Sequence, residues 1–297
     1  MVRLRRLELP RGISPTATST LRVYQFRHSR IPIWSGRTYP MNCRARQDKK
    51  ARQDERGYAR LAGMKDAQNN APVWQVIPTS SLYEDAVSQM EAHAQAVAAS
   101  DAEEAVFVTC HADVYTAGTS AKIEELLNPA GVPVVQTGRG GQWTWHGPGQ
   151  LVLWPVLDLN QRRRDVRAYI FALEGWMIDV LACFGVSGER REGLPGIWVR
   201  RGDEGQPDRL DKIVAVGVRI SKWVTMHGVA LNHEPDLTQY NGIVPCGVTD
   251  GGVTSLADLG LMISPEELEM AIKDCFPAWF GTGADMGRGG NEGRLSS

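Results

Sequence analysis

The stretch Arg139–Asp158, R-G-G-Q-W-T-W-H-G-P-G-Q-L-V-L-W-P-V-L-D, changes character halfway along. Gly140, Gly141, Gly147 and Gly149 crowd round one histidine, His146, and from Leu151 to Leu157 the chain turns apolar. Glycines at that density let backbone approach a ligand closely and supply positions of positive φ. A histidine among them, followed at once by a buried strand, reads as the wall of a pocket. The plainer alternative is a glycine-rich turn with a structural histidine. Pro155 within the apolar run hints at an edge strand or a bulge.

Working outward, helices and strands alternate without a strict rhythm. Ser81-Leu82-Tyr83-Glu84 has the form of a capping box, and Ala86, Met90, Ala94 and Val97 follow at helical spacing. Ala105–Thr109 and Val132–Gln136 read as short buried strands. Asp165 opens a helix with the apolar stripe Tyr169, Leu173, Trp176, Val180 and Phe184. Ile197–Arg200 reads as a strand, and Arg201–Arg209 as a polar exposed loop. Lys212–Ile220 and Trp223–Leu231 pair as a hairpin. Ser264-Pro265-Glu266-Glu267 starts a last helix, which runs to about Cys275. The mixture points to an α+β fold, a mixed sheet with packed helices, rather than a doubly wound one.

Of the 297 residues 42% are hydrophobic, enough for a proper core. The charge is unevenly spread: arginines crowd the segment before Met64, leaving the remainder acidic. Three parts are expected, a basic N-terminal extension (1–70), a folded domain (71–280) and a glycine-rich tail (281–297). The extension reads as a disordered arm or as sequence upstream of a natural start at Met64, with an organellar targeting peptide as the lesser alternative. Nucleic-acid binding has only weak compositional support. The cysteines Cys43, Cys110, Cys183, Cys246 and Cys275 are scattered, odd in number and without a C-x-x-C pair. That pattern argues against a disulfide framework or a zinc site and fits a reducing, cytoplasmic setting. No stretch of uncharged apolar residues is long enough to predict a membrane span.

Two residue types carry chemistry. Cys246 sits between Pro245 and Gly247, where a glycine leaves room beside the sulfur; a small buried cysteine is the bland alternative. Lys212 begins a strand and by simple alternation shares a face with Val214, Val216, Val218 and Ile220. A lysine there can act as a base or, while protonated, hold a thiolate; one that snorkels to water is the alternative. The opposite face, Ile213, Ala215, Gly217 and Arg219, together with Gly228 and Ala230 on the next strand, leaves a trough suited to an apolar chain. Close helix packing would use the same small residues.

Three motifs occur in order: R-G-G-x-x-T-x-H-G-P-G-Q from Arg139, then Asp211–Ile220 with Met226–Asn232, then Gly242–Val248. With these the chain resembles the lipoyl(octanoyl) transferase family from about Val73 to Leu259. The resemblance implies the catalytic fold of the biotin and lipoate ligases. It also implies transfer of an octanoyl group from acyl carrier protein to a lysine of a lipoyl domain, without metal or cofactor. It places Cys246 on the nucleophile and Lys212 on the catalytic lysine. The acyl group is expected against Arg139, Gly140, Gly141, Gln142, Trp143, Thr144, Trp145 and His146, against Ala215, Val216 and Gly217, and against Gly228, Val229 and Ala230. His146 is expected to bind rather than to act as base. Where many members have Glu-His-Pro, this chain has Cys110-His111-Ala112-Asp113, which puts the local turn in doubt but not the chemistry.

The implied partners are octanoyl-acyl carrier protein and the lipoyl domains of 2-oxoacid dehydrogenase complexes and of the glycine cleavage H protein, met by a monomer, with no nucleic acid and no membrane. Both kinds of partner are acidic, so Arg162, Arg163, Arg164 and Arg167 at a helix start are a candidate docking patch. An ATP-dependent ligase of the same fold is the alternative function.

Overall fold

The computed structural model describes residues 71–202, 208–244 and 251–281. The predicted N-terminal extension, part of the polar loop, almost all of the glycine-rich tail and Pro245-Cys246-Gly247 lie outside the described residues. The strands in chain order are β1 (Val73–Val76), β2 (Ala105–Thr109), β3 (Val114–Ala117), β4 (Val134–Gln136), β5 (Trp143–His146), β6 (Gln150–Val156), β7 (Gly188–Arg191), β8 (Leu194–Arg200), β9 (Leu210–Ser221), β10 (Val224–Asn232) and β11 (Gly252–Val253). The α-helices are α1 (Tyr83–Ala98), α2 (Val166–Cys183), α3 (Pro265–Cys275) and α4 (Pro277–Phe280). The larger sheet runs β1-β2-β6-β10-β9-β8-β7, with β11 beside β9, and a smaller one runs β4-β3-β5. β1–β2, β3–β4 and β9–β11 are parallel while β2–β6, β6–β10, β10–β9 and β9–β8 are antiparallel, so the expected mixed α+β sheet is present.

The helices divide between two cores. On α2 the spacing of Tyr169, Leu173, Trp176 and Val180 buries a stripe against Ile197, Ile213, Val214 and Leu231, and α3 and α4 join that core through Leu268, Phe276 and Phe280. Ala86, Met90, Ala94 and Val97 of α1 pack with Phe107, Val152, Trp154 and Ala230. The helix starts differ from expectation in one case. Asp165 caps α2 by accepting from the Ala168 N–H at 3.0 Å, and Ser264 and Glu267 form both bonds of a capping box. The box predicted at Ser81 does not form: Leu82 holds the cap position and makes no side-chain bond, because Ser81 falls one residue too early.

Two irregularities in the large sheet matter for function. Pro155 lies in a central strand, not at an edge, paired with Val106. Its missing N–H interrupts the ladder towards β10. Thr225 bridges the gap, its hydroxyl donating to the Pro155 carbonyl at 2.7 Å and accepting from the Leu157 N–H at 2.9 Å. A Cβ on Gly228 would lie 2.8 Å from the Pro155 ring and 2.3 Å from the Leu153 carbonyl, so glycine is required there. The second irregularity is a bulge in β9. Ile197 pairs with Val214 and Trp198 with Lys212, leaving Ile213 as an extra residue. Ile213 and Val214 therefore both enter the α2 core, and Lys212 moves to the face of Ala215 and Gly217. Simple alternation, which put Lys212 beside Val214 and Val216, is overturned by this one residue. The hairpin turn is Lys222-Trp223, with φ of 51° and 65°, the positive pair of a type I′ turn.

Trp176 ties the C-terminal helices to this frame. It is fully buried, its indole N–H donates to the Ile272 carbonyl at 2.9 Å, and its ring meets Phe276 edge-on at 5.1 Å. Trp176→Ala should cost about 3–5 kcal/mol of stability, read from the urea midpoint. Trp176→Phe, which keeps most of the ring packing, should cost clearly less.

Candidate active site

A cavity of about 480 Å³ lies against β9 and β10 and collects most of the predicted site residues. Arg139 to Thr144 and His146 form one wall. The floor is a patch of four small residues in register, with Ala215 opposite Ala230 and Gly217 opposite Gly228. Val216 and Val229 line it as well, and Lys212 joins the same lining. The absent side chain of Gly217 is filled by Arg139, whose Cδ would lie 3.1 Å from a Cβ there. Trp145 is the one described residue of the predicted set outside the lining. It turns into the small core against Tyr240, ring centroids 5.6 Å apart. Cys246 lies outside the described residues.

Arg139 is held rigidly. Its guanidinium donates to the Thr116 carbonyl at 2.7 Å and hydroxyl at 2.8 Å, and to the Gly140 carbonyl at 3.1 Å. These bonds anchor the glycine-rich loop to β3, and Gly140 N–H adds a bond to the Val218 carbonyl at 2.9 Å. The predicted glycine density thus serves close approach of loop to strand. A Cβ on Gly118 would fall 2.2 Å from the Gly141 carbonyl.

His146 sits in a buried hydrogen-bond network. Its Nδ1 lies 2.6 Å from Gln150 Oε1. The Gln150 amide nitrogen donates to Asn232 Oδ1 at 3.0 Å and Tyr240 OH at 2.9 Å, and Asn232 donates onward to the Thr254 carbonyl at 2.9 Å. This orientation leaves Gln150 Oε1 as the acceptor, so His146 carries its proton on Nδ1. Burial, with His111 nearby, holds the imidazole neutral far below the ordinary histidine range. Asn232, the last residue of the Met226–Asn232 motif, is the hub that orients Gln150.

Lys212 is almost fully buried. Its ammonium donates to the Pro195 carbonyl at 3.3 Å and lies 4.5 Å from the centre of the Trp198 ring. Its stem runs over Gly196, where a Cβ would come within 3.3 Å of Lys212 Cε. Next to it, Val253 of β11 pairs with Lys212 and Gly252 with Asp211.

Several lining residues were not foreseen. Val152 and Trp154 contribute from alternate positions of β6, a signal that period-two reading of Leu151–Leu157 contains. Tyr83 enters from the first turn of α1, stacked on His146 at 5.8 Å, its hydroxyl pushed up to about 12 by burial. His227 also lines the cavity, at φ 57° in mid-strand. Val166, Ile170, Leu194 and Pro195 have no local sequence signal. The arginine patch is only partly as expected. Arg162 is committed to Glu104 and to the Phe280 carbonyl, with 4% of its side chain exposed, so it cannot dock a partner. Arg163 pairs with Asp165 at 2.8 Å, and Arg164 and Arg167 are exposed at the start of the helix that carries Val166 and Ile170.

Comparison with known proteins identifies what this arrangement belongs to. Residues 83–277 match the family model of the lipoyl protein ligase A/B catalytic domain. An octanoyltransferase of Rhodopseudomonas palustris (strain BisA53) is 51% identical over 213 residues, which cover 71% of this chain and 90% of that protein. One from Hyphomonas neptunium is 50% identical over 216 residues, covering 72% and 92%. Among solved structures, the bipartite lipoate protein ligase of Thermoplasma acidophilum superposes with a TM-score of 0.53 at 16% identity, covering 69% of this chain and 82% of that one. A lipoate-protein ligase A bound with ATP gives a TM-score of 0.52 at 16% identity, covering 70% and 85%. These two likenesses establish the fold.

The buried imidazoles make stability depend on pH. Burial lowers His111 to about 4 and His227 to about 3. Both stay neutral in the folded protein while the unfolded chain takes up protons below about 6.5. Their contribution is therefore complete above that value and lost as pH falls towards 4 and 3. Between pH 7.5 and 5 the loss should be on the order of 2 kcal/mol per imidazole, seen as a falling urea midpoint. His111→Phe, which removes one proton site, should flatten that fall.

Proposed function

The chain belongs to the lipoyl protein ligase A/B catalytic family and is an octanoyltransferase of protein lipoylation, and on that premise we propose how its residues carry the reaction. Octanoyl-acyl carrier protein is the donor. The Cys246 thiolate attacks the thioester carbonyl and forms an acyl–sulfur bond, while the carrier's sulfur leaves as a thiol with a proton from the Lys212 ammonium, so that Lys212 enters the second step as a neutral amine. The neutral amine of a lipoyl-domain lysine then attacks that new thioester. The amide forms, the Cys246 thiolate leaves, and the proton released from the amine passes to Lys212. The two thioesters are close in energy, so the first step is nearly balanced and the amide drives the second.

The observation that carries this reading is a buried lysine in the lining of an apolar cavity floored by paired small residues. An eight-carbon chain needs an apolar slot, and the acyl transfer needs a cation or base at its end. The chain re-enters the described residues at Gly251-Gly252, and Gly252 and Val253 form the strand beside Asp211 and Lys212. Adjacent strands lie about 4.8 Å apart. Cys246 stands six positions before Gly252 in the sequence.

In this reading Arg139 and the 139–146 loop hold the acyl chain against Ala215–Gly217 and Gly228–Ala230, with His146 as a neutral hydrogen-bonding wall. The acceptors are the lipoyl domains of 2-oxoacid dehydrogenase complexes and of the glycine cleavage H protein, and the reaction runs in the cytoplasm. Both acidic partners meet the exposed arginines Arg163, Arg164 and Arg167 beside Val166 and Ile170.

Intact mass after incubation with octanoyl-acyl carrier protein should rise by one octanoyl group on the parent and stay unchanged in Cys246→Ser. An adduct that persists in Cys246→Ser would place the acyl group elsewhere. Arg164→Glu with Arg167→Glu should raise KM for the carrier-bound donor about tenfold while leaving a small octanoyl thioester unaffected. Equal effects on both donors would reject the docking role.

A further inference from the structure

α2 is an apolar helix with one charge it should not tolerate. Glu174 lies between the fully buried Leu173 and the tightly packed Gly175, and is itself 7% exposed. A buried carboxylate is costly unless it is paired and hydrogen-bonded. Here both oxygens are used. Oε1 accepts from the Gly196 N–H at 3.0 Å, and Oε2 accepts from Arg190 Nε at 3.2 Å. Arg190 is fixed in turn by the Phe171 carbonyl at 3.1 Å and by the Phe171 ring at 3.8 Å.

What Glu174 holds is the strand segment that holds Lys212. The Gly196 amide follows directly on Pro195, whose carbonyl accepts from the Lys212 ammonium. Gly196 adopts φ 127°, and a Cβ there would fall 2.6 Å from the Val214 carbonyl as well as on the lysine stem. The backbone at this point has room for one arrangement, and the carboxylate pins it from below. We propose that Glu174 is a positioning residue for Lys212: through the Gly196 N–H it fixes the Pro195 carbonyl that aims the ammonium, and its charge faces that ammonium from within the protein.

The charges in reach are few among the described residues. Glu174 faces Arg190 on β7 and Lys212 on β9, and these two, with the Gly196 N–H, work against the burial that raises its carboxyl. Lys212 shares the Trp198 ring with Arg191, 4.8 Å from the ring centre. The neighbouring Asp211 is turned to Arg209 at 2.8 Å and Arg201 at 3.8 Å. The Glu174 carboxylate and the Lys212 ammonium are opposite charges hydrogen-bonded to the two ends of one peptide unit, Pro195–Gly196.

The inference rests on the reading of Lys212 as catalytic, and the test separates the two. Transfer from octanoyl-acyl carrier protein is followed across pH for the parent and for Lys212→Ala, Glu174→Gln, Glu174→Asp and Arg190→Gln. Lys212→Ala should lose activity by more than about a hundredfold; if it does not, the reading of Lys212 as catalytic fails and the positioning role of Glu174 falls with it. Glu174→Gln keeps an acceptor for Gly196 but removes the charge. It should lower kcat about tenfold at unchanged KM and move the limbs of the pH–rate profile to lower pH. Glu174→Asp should recover part of kcat. Arg190→Gln leaves the carboxylate unopposed and should move the limbs the other way, to higher pH, which tests the idea even if the Glu174 variants do not fold. Reduced thermal stability in Glu174→Gln and Arg190→Gln with both profiles unmoved would overturn the proposal, leaving Glu174 as a structural charge.

Discussion

Ile213 and Val214 are chain neighbours, yet both pack into the core under α2. A regular strand cannot do this, because successive side chains point to opposite faces. The bulge at Ile213 resolves the conflict and has a second effect, since every residue before it changes face. Without the extra residue Lys212 would point into the α2 core, a cation among leucines and valines. With it, the ammonium reaches a cavity, a carbonyl and an aromatic ring. The rest of the site is arranged around that displaced lysine.

The cavity depends on a second local defect. Pro155 removes one ladder bond from the middle of the sheet, and its ring occupies space that a side chain on β10 would need. Gly228 answers that need on one strand and Gly217 stands opposite it on the next. The result is a strip of small residues along the cavity floor, Ala215 and Gly217 on one strand and Ala230 and Gly228 on the next. Arg139 closes its side, held by oxygens of Thr116 and Gly140 rather than left to swing. On the proposed reading, such a wall receives the acyl chain without the cost of ordering the site on binding.

Polar groups around the cavity are consistently kept neutral or tied. The imidazoles of His111, His146 and His227 are depressed by burial, and the Tyr83 phenol is raised by it. Neutral walls leave the lysine as the cation of the lining beside the anchored Arg139. In such surroundings a charge acts over a longer distance than in water, because little solvent is present to screen it. This gives the remote Glu174 its reach.

Much of this was legible in the chain. The glycine-rich stretch around His146, the paired small residues of Ala215–Gly217 and Gly228–Ala230, and the helix starts at Asp165 and Ser264 all follow from residue types at local spacing. So does the mixed α+β character. The order of the motifs pointed to the family that the comparisons establish. What lay beyond reach was anything that depends on two distant segments meeting. No spacing announces that Ile213 is extra to its partner strand, that Pro155 sits at the centre of the sheet, or that Arg162 is spent on Glu104. Tyr83, Ile170 and Glu174 join the site from helices whose own patterns describe only a buried face. A sequence records which groups are available and how they alternate along one element. Which group faces which is decided by register and packing across the whole sheet, where a single residue more or less turns a side chain from core to cavity.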